Sequence, residues 1–174
     1  MSDWIQTYTG KQFEFERPTL DMLDIEDIAH ALSGTARYNH HTRDFYSVAQ
    51  HACIIASCAP REIALAALLH DAAEAYTGDM VSPLKRMCPD FKRVEKVIEA
   101  LVCEKFGVDI HDARIKELDM RILINEKRDL FVVQRNWKVE ETYAPLPIGT
   151  IVAQPPREAK MNFLDAFVAL GGKL

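Results

Sequence analysis

The sequence predicts an all-α protein that carries a short β-hairpin at its N-terminus. Two patterns carry that expectation. From Asp24 onward, apolar residues recur at helical spacing in successive stretches bounded by capping residues, glycines or prolines. Ahead of them, residues 4–15 (WIQTYTGKQFEF) alternate apolar and polar around Thr9-Gly10, the pattern of two strands joined by a turn. No internal repeat, low-complexity tract or Gly/Ser linker divides the chain, so residues 1–174 read as a single domain.

Pro18 closes the hairpin unit. The stretch from Asp24 to Ser33 (DIEDIAHALS) reads as a helix, with Asp24 as N-cap and Gly34 just past its end. Residues 35–43 (TARYNHHTR) make a polar connection. The next helix runs from Phe45 to Cys58 and must end before Pro60. Another begins at Pro60, where a proline suits a first helical turn, and continues through IALAALLHDAAEAY to Tyr76. Thr77 and Gly78 stop it. After the loop GDMVSPLKRMCP, helices are predicted over 90–106, closed by Gly107, and over 112–136. The proline-rich stretch TYAPLPIGTIVAQPP should wrap the surface, and residues 157–170 form a last amphipathic helix with Phe163, Phe167 and Leu170 on one side.

An apolar fraction of 48% and a charged fraction of 27% are ordinary for a soluble globular protein. No apolar run approaches the ~18 residues of a membrane span, and MSDWIQTYTG lacks the basic and apolar regions of a secretory signal. A cytoplasmic location is therefore expected. Cys53, Cys58, Cys88 and Cys103 form no C-x-x-C pair and read as reduced thiols. A net charge of −5 argues against a nucleic-acid polymer as partner. It leaves room for a small phosphorylated ligand in a locally basic pocket.

The informative anomaly is ionisable side chains on helix faces that belong in the core. In residues 63–76 apolar residues run almost all the way around, yet His70, Asp71 and Glu74 share one wedge of that helix. His51 shares a face with Val48, Ile54, Ile55 and Cys58. Asp119 falls on the stripe of Ile115, Ile122, Leu130 and Val133, and Glu126 falls on it too. A buried carboxylate needs a cation, hydrogen bonds or an open cavity. Two imidazoles and two carboxylates, His51, His70, Asp71 and Asp119, would suffice for one divalent metal ion with open water positions. Their mixed N/O character suits Zn, Mn, Co, Ni or Fe rather than Ca. Spacing alone reads equally well as a structural polar network.

The sequence resembles the HD-domain phosphohydrolases, whose hallmark is an ordered H…HD…D signature on consecutive helices. It reads here as His51 in FYSVAQHA, His70 and Asp71 in ALLHDAAEAYTGD, and Asp119 in KELDMRI, with SPLK following the HD run. Within that superfamily the chain is most similar to the small bacterial 5′-deoxynucleotidases and to phage phosphohydrolases, including dATP triphosphohydrolases, over roughly Ile25 to Ile124. The resemblance implies an HD-domain helical bundle, one divalent metal held by His51, His70, Asp71 and Asp119, and hydrolysis of nucleotide phosphates. The deoxynucleotidases carry an Arg-Trp pair before the first ligand; this chain has Arg37 followed by Tyr38.

The resemblance also gives Glu74 the role of orienting or deprotonating the attacking water, the alternative being a carboxylate that braces a ligand imidazole. It gives Asp79 a contact to the nucleotide sugar or leaving oxygen; otherwise Asp79 is a turn residue. Arg37 suits phosphate by chemistry, because guanidinium binds its oxygens bidentately. Tyr38 is the candidate sugar or base contact, and Lys85 is either a second phosphate contact or a solvent-facing lysine. His40 and His41 read as substrate-proximal or exposed rather than as ligands, His30 as a packing residue, and His111 as a helix-start residue. Arg43, Asp44, Lys92, Arg93, Lys127 and Arg128 read as solvated faces. The substrate expected first is a nucleoside 5′-monophosphate, preferably deoxy. The alternatives are a dNTP that loses triphosphate and a non-catalytic nucleotide sensor. A dimer or larger homo-oligomer is expected by similarity.

Overall fold

Residues 3–174 are described by a computed structural model, and their regular secondary structure is helical apart from one two-stranded sheet. Strands β1 (Trp4–Gln6) and β2 (Gln12–Glu14) pair antiparallel, with Ile5 opposite Phe13. The turn between them is tied down by α1 (Ile25–Gly34): the backbone N–H and the hydroxyl of Thr9 donate to the Asp27 carboxylate at 2.6 and 2.9 Å. Asp24 caps α1 as expected, its carboxylate accepting from the Glu26 N–H.

Helix α2 (Val48–Cys58) starts three residues later than the periodicity of Phe45 onward predicts. The reason is pairing. Ala36 and Ser47 form an antiparallel bridge, the Arg37 N–H donates to the Tyr46 carbonyl, and the Val48 N–H donates to Thr35. Ser47 then caps the helix by accepting from Gln50.

The expected continuous helix to Tyr76 is broken into α3 (Ala64–Leu69) and α4 (Glu74–Thr77). Between them the N–H groups of Ala72, Glu74, Ala75 and Tyr76 each bond the carbonyl three residues back, so the backbone tightens locally to a 3₁₀ pattern. The loop beyond Gly78 contains a further short helix, α5 (Ser82–Lys85). Helix α6 (Pro89–Phe106) ends on left-handed Gly107 (φ 64°), as its sequence position suggests.

Helix α7 (Ala113–Leu130) stops six residues short of the predicted end, and Val133 lies outside the buried stripe, exposed. Its last carbonyls are taken elsewhere. Arg43 N–H donates to Leu130, and the Gln134 amide folds back to donate to Lys127 and Phe131. The final helix, α8 (Pro156–Ala169), packs on α1, α2 and α3 and buries Ala159, Phe163 and Phe167. No helix among the described residues is long and apolar enough to cross a membrane.

The proline-rich segment does wrap the helices, but it is pinned by side-chain amides that imitate strand pairing. Asn125 exchanges two hydrogen bonds with the backbone of Leu146, at 2.8 and 3.0 Å. Gln50 donates to the Val152 carbonyl at 2.7 Å and accepts from the Gln154 N–H at 2.9 Å. Gln50→Ala removes both bonds from a strap that is only partly buried there, so stability should fall by about 1–2 kcal/mol. Urea unfolding checks this; an unchanged midpoint would mean that Asn125 and the packing of Leu146 and Ile151 hold the strap without Gln50.

Candidate functional site

Of the residues that looked out of place on their helices, His51, His70 and Asp119 form one cluster and Asp71 adjoins its two imidazoles. His51 comes from α2, His70 and Asp71 from the tightened turn between α3 and α4, and Asp119 from α7. One ligand atom from each of His51, His70 and Asp119 lies within 4.8 Å of the other two. Asp71 Oδ2 stands 3.2 Å from His70 Nε2 and 3.6 Å from His51 Nε2, and Asp119 Oδ1 is 3.5 Å from His51 Nε2.

Both imidazoles are oriented from behind. His70 Nδ1 is 2.8 Å from the Ala67 carbonyl, which can only accept, so Nδ1 carries the proton. His51 Nδ1 is 2.7 Å from Glu126 Oε1 in the same sense. Each ring therefore turns Nε2 toward the shared centre, and both Nε2 atoms are buried without a hydrogen-bond partner. Two orphaned ring nitrogens facing two carboxylates fit a divalent transition ion. Without one, burial and the Arg37 charge oppose a His51 cation, but Glu126 and Asp119 outweigh them and lift the imidazole to about 9. Burial opposes ionisation of Asp71 and Asp119 too, and the adjacent imidazoles overcome it, holding both carboxyls below their usual range.

Beside this centre opens a cavity of about 560 Å³, lined by Arg37, Tyr38, Asp71, Glu74, Asp79, Lys85 and Asp119 among others. All the sequence-predicted substrate and catalytic candidates are thus on its wall. A smaller cavity of about 300 Å³ reaches His70 from the other side, and Asp71, Lys116 and Asp119 border both. Arg37 is only 8% exposed; its guanidinium lies 3.5 Å from Asp71 and 3.4 Å from Glu126, while its Nε is a buried donor with no partner. Glu74 is 6% exposed, with Oε2 likewise unpartnered. Burial, reinforced by the charges of Asp71 and Asp79, pushes the Glu74 carboxyl well above its ordinary value. Asp79 is raised as well, by burial first.

Lys85 is neither solvent-facing nor free: its Nζ sits 2.7 Å from Glu95 and 3.6 Å from Glu74. Lys127 departs from expectation. It is buried rather than solvated, because its ammonium reaches back to Glu140 and to the Arg135 carbonyl. Of the remaining histidines, His30 stacks on Tyr8 at 3.8 Å, His40 and His111 are exposed, and His41 edges the larger cavity.

Glu126 is the residue whose importance the sequence concealed. Fully buried, it accepts from Arg37, from the hydroxyls of Tyr38 and Tyr46, and from His51. Its place on the apolar stripe of α7, two turns after Asp119, was the available signal. Tyr38, Asn39 and His40 reach this arrangement through three successive positive φ angles of 57°, 50° and 58°. A left-handed turn without glycine costs about 1–2 kcal/mol per residue, and such strain collects at functional sites.

The chain is similar to known proteins over most of its length. A family model described as "5′-deoxynucleotidase YfbR-like" matches residues 33–129, which include all four candidate ligands. The uncharacterized protein YfdR of Escherichia coli (strain K12) is 37% identical over 166 residues, covering 94% of this chain and 93% of that protein. An uncharacterized protein of Rhodobacter capsulatus is 40% identical over 115 residues, covering 60% of this chain and 59% of that protein.

Proposed function

The chain belongs to the YfbR-like 5′-deoxynucleotidase family, in the HD-domain superfamily, and from that premise we propose that it hydrolyses nucleoside 5′-monophosphates, deoxy forms first, to nucleoside and orthophosphate. The observation that carries the reading is the pair of buried, partnerless Nε2 atoms facing Asp71 and Asp119 at the edge of a nucleotide-sized cavity.

His51, His70, Asp71 and Asp119 would hold one divalent ion, Zn, Co, Mn, Ni or Fe. Such an ion, when bound, polarises a phosphoryl oxygen and lowers the pKa of a coordinated water. The chain's own side chains do the rest. Arg37 offers its unpartnered Nε–H to a phosphate oxygen and stabilises charge that builds there. Glu74, with its raised carboxyl, holds or moves the proton at Oε2. Asp79 and Tyr38 contact the sugar, and the Lys85 ammonium, held between Glu74 and Glu95, supplies a second positive charge. We further read residues 1–174 as one domain, since α8 returns to α1 and α2, and as a cytoplasmic homo-oligomer.

A dNTP triphosphohydrolase is the second reading, and one observation favours it: Lys85 and Lys116 line the cavity beside Arg37. Each of those lysines is already held by a carboxylate at 2.7 Å, so Arg37 alone has a buried donor without a partner. One phosphate is the better match. The test is a panel of dNMPs and dNTPs with each candidate metal, measuring orthophosphate and tripolyphosphate separately. Orthophosphate from dNMPs is expected. Tripolyphosphate from dNTPs, without orthophosphate, would reverse the order, and nucleotide binding with no product from either would favour a non-catalytic sensor.

A further inference from the structure

Trp137 lies in the segment after α7, beyond the residues the family model matches. Residues 132–136 ahead of it are exposed, yet Trp137 itself folds back, half-buried, onto the wall of the larger cavity. There it meets two other aromatic rings. Its centroid is 5.2 Å from Phe131, edge to face, and 5.9 Å from Tyr38; Phe131 and Tyr38 are 5.2 Å apart. Tyr38 joins this cluster to the chemistry, because its hydroxyl donates to Glu126, which orients His51.

The loop that carries Trp137 is fastened from beneath. The buried Lys127 ammonium donates to the Arg135 carbonyl at 3.0 Å and pairs with Glu140. The Gln134 side-chain amide donates to the Lys127 carbonyl at 3.0 Å, and the backbone N–H of Trp137 donates to Glu140 at 3.2 Å. A buried lysine spent on holding an otherwise exposed loop makes sense if the loop presents something in a fixed place, since a preordered contact binds more tightly than one ordered on arrival.

The cavity wall carries two kinds of group: charged side chains, among them Arg37, Asp71, Glu74 and Lys85, and the aromatic cluster of Tyr38, Phe131 and Trp137. A nucleotide likewise has a charged part and an aromatic one. We infer that Trp137, backed by Phe131, is a specificity-determining residue that stacks on the nucleobase of the substrate. The inference rests on the nucleotide reading above and adds to it the residue that reads the base. Stacking accepts any base through its π face, so the expected preference is for the presence of a base over its absence, with modest discrimination among bases.

Two measurements test it. Trp4 and Trp137 are the two tryptophans of the chain, so Trp4→Phe leaves Trp137 as the sole indole. Titrating that protein with deoxynucleosides, which lack phosphate, should quench its fluorescence saturably. In addition, Trp137→Ala should raise KM for dNMPs about 10- to 100-fold relative to KM for 2-deoxyribose 5-phosphate, with Trp137→Phe recovering part of the loss. Equal KM changes on both substrates, or no quenching by any deoxynucleoside, would overturn the inference. Quenching in a protein that hydrolyses no phosphate ester would sustain the base contact while removing the hydrolase reading.

Discussion

His70→Ala and Asp119→Ala should each yield folded protein that no longer retains divalent metal, with nucleotide hydrolysis down on the order of 10³-fold or more. The size follows from what the ion supplies: stabilising a developing phosphoryl charge is worth several kcal/mol, and each ~1.4 kcal/mol is tenfold in rate. Folding should survive, since neither side chain belongs to the apolar core and both border cavities that water can enter. Asp119→Asn keeps the shape of the carboxylate and removes its charge, so it separates loss of ligation from loss of packing. Elemental analysis of each purified variant, beside the dNMP assay and a thermal melt, reads all three effects. Wild-type metal content with wild-type turnover in either Ala variant would remove that residue from the ligand set.

Much of this site was legible in the sequence because its residues break a local rule. His51 and Asp119 sit on stripes that otherwise enter the core, and a polar residue there needs a partner whatever the fold. The hairpin, the Asp24 cap and the Gly107 stop were legible for the same reason: each is decided within a few residues. What escaped notice was decided at a distance. Nothing in LLHDAAEAY breaks a helix, yet the backbone tightens between Leu69 and Glu74 where it turns His70 and Asp71 inward. Helix α7 keeps its apolar spacing to Val133 but ends at Leu130, because Arg43, from the other half of the chain, takes that carbonyl. Glu126 was visible on its stripe and still without a role, since its donors Arg37, Tyr46 and His51 lie between 75 and 89 residues away. Trp137 carried no signal at all, as nothing in sequence order places it beside Tyr38.

Glu126→Gln should weaken metal binding about 10- to 100-fold and destabilise the fold by about 3–5 kcal/mol, although the two side chains have nearly the same shape. Every group that touches Glu126 is a donor: the Arg37 guanidinium, the two phenols and His51 Nδ1–H. A glutamine puts a donor of its own where one carboxylate oxygen accepted, and it leaves the Arg37 charge buried with less to balance it. If the amide nitrogen faces His51, the ring loses the acceptor that fixes its tautomer and direction; if the oxygen faces it, the ring keeps a weaker, neutral acceptor. Either way a residue that touches no metal would act on one. The stability part also carries a pH signature. Burial raises the Glu126 carboxyl, but the charges of Arg37 and His51 outweigh it and bring it from 4.5 down to about 2. A carboxyl depressed in the folded state stabilises fully above its unfolded pKa and loses that contribution as pH falls through the folded value. The gap between wild type and Glu126→Gln should therefore be full above pH 4.5 and close as pH falls toward 2. Chemical unfolding of both proteins across that range, together with metal titration at neutral pH, measures both effects. A gap that stays constant with pH would mean that the glutamine acts through packing alone, and an unchanged metal affinity would detach Glu126 from the work of His51.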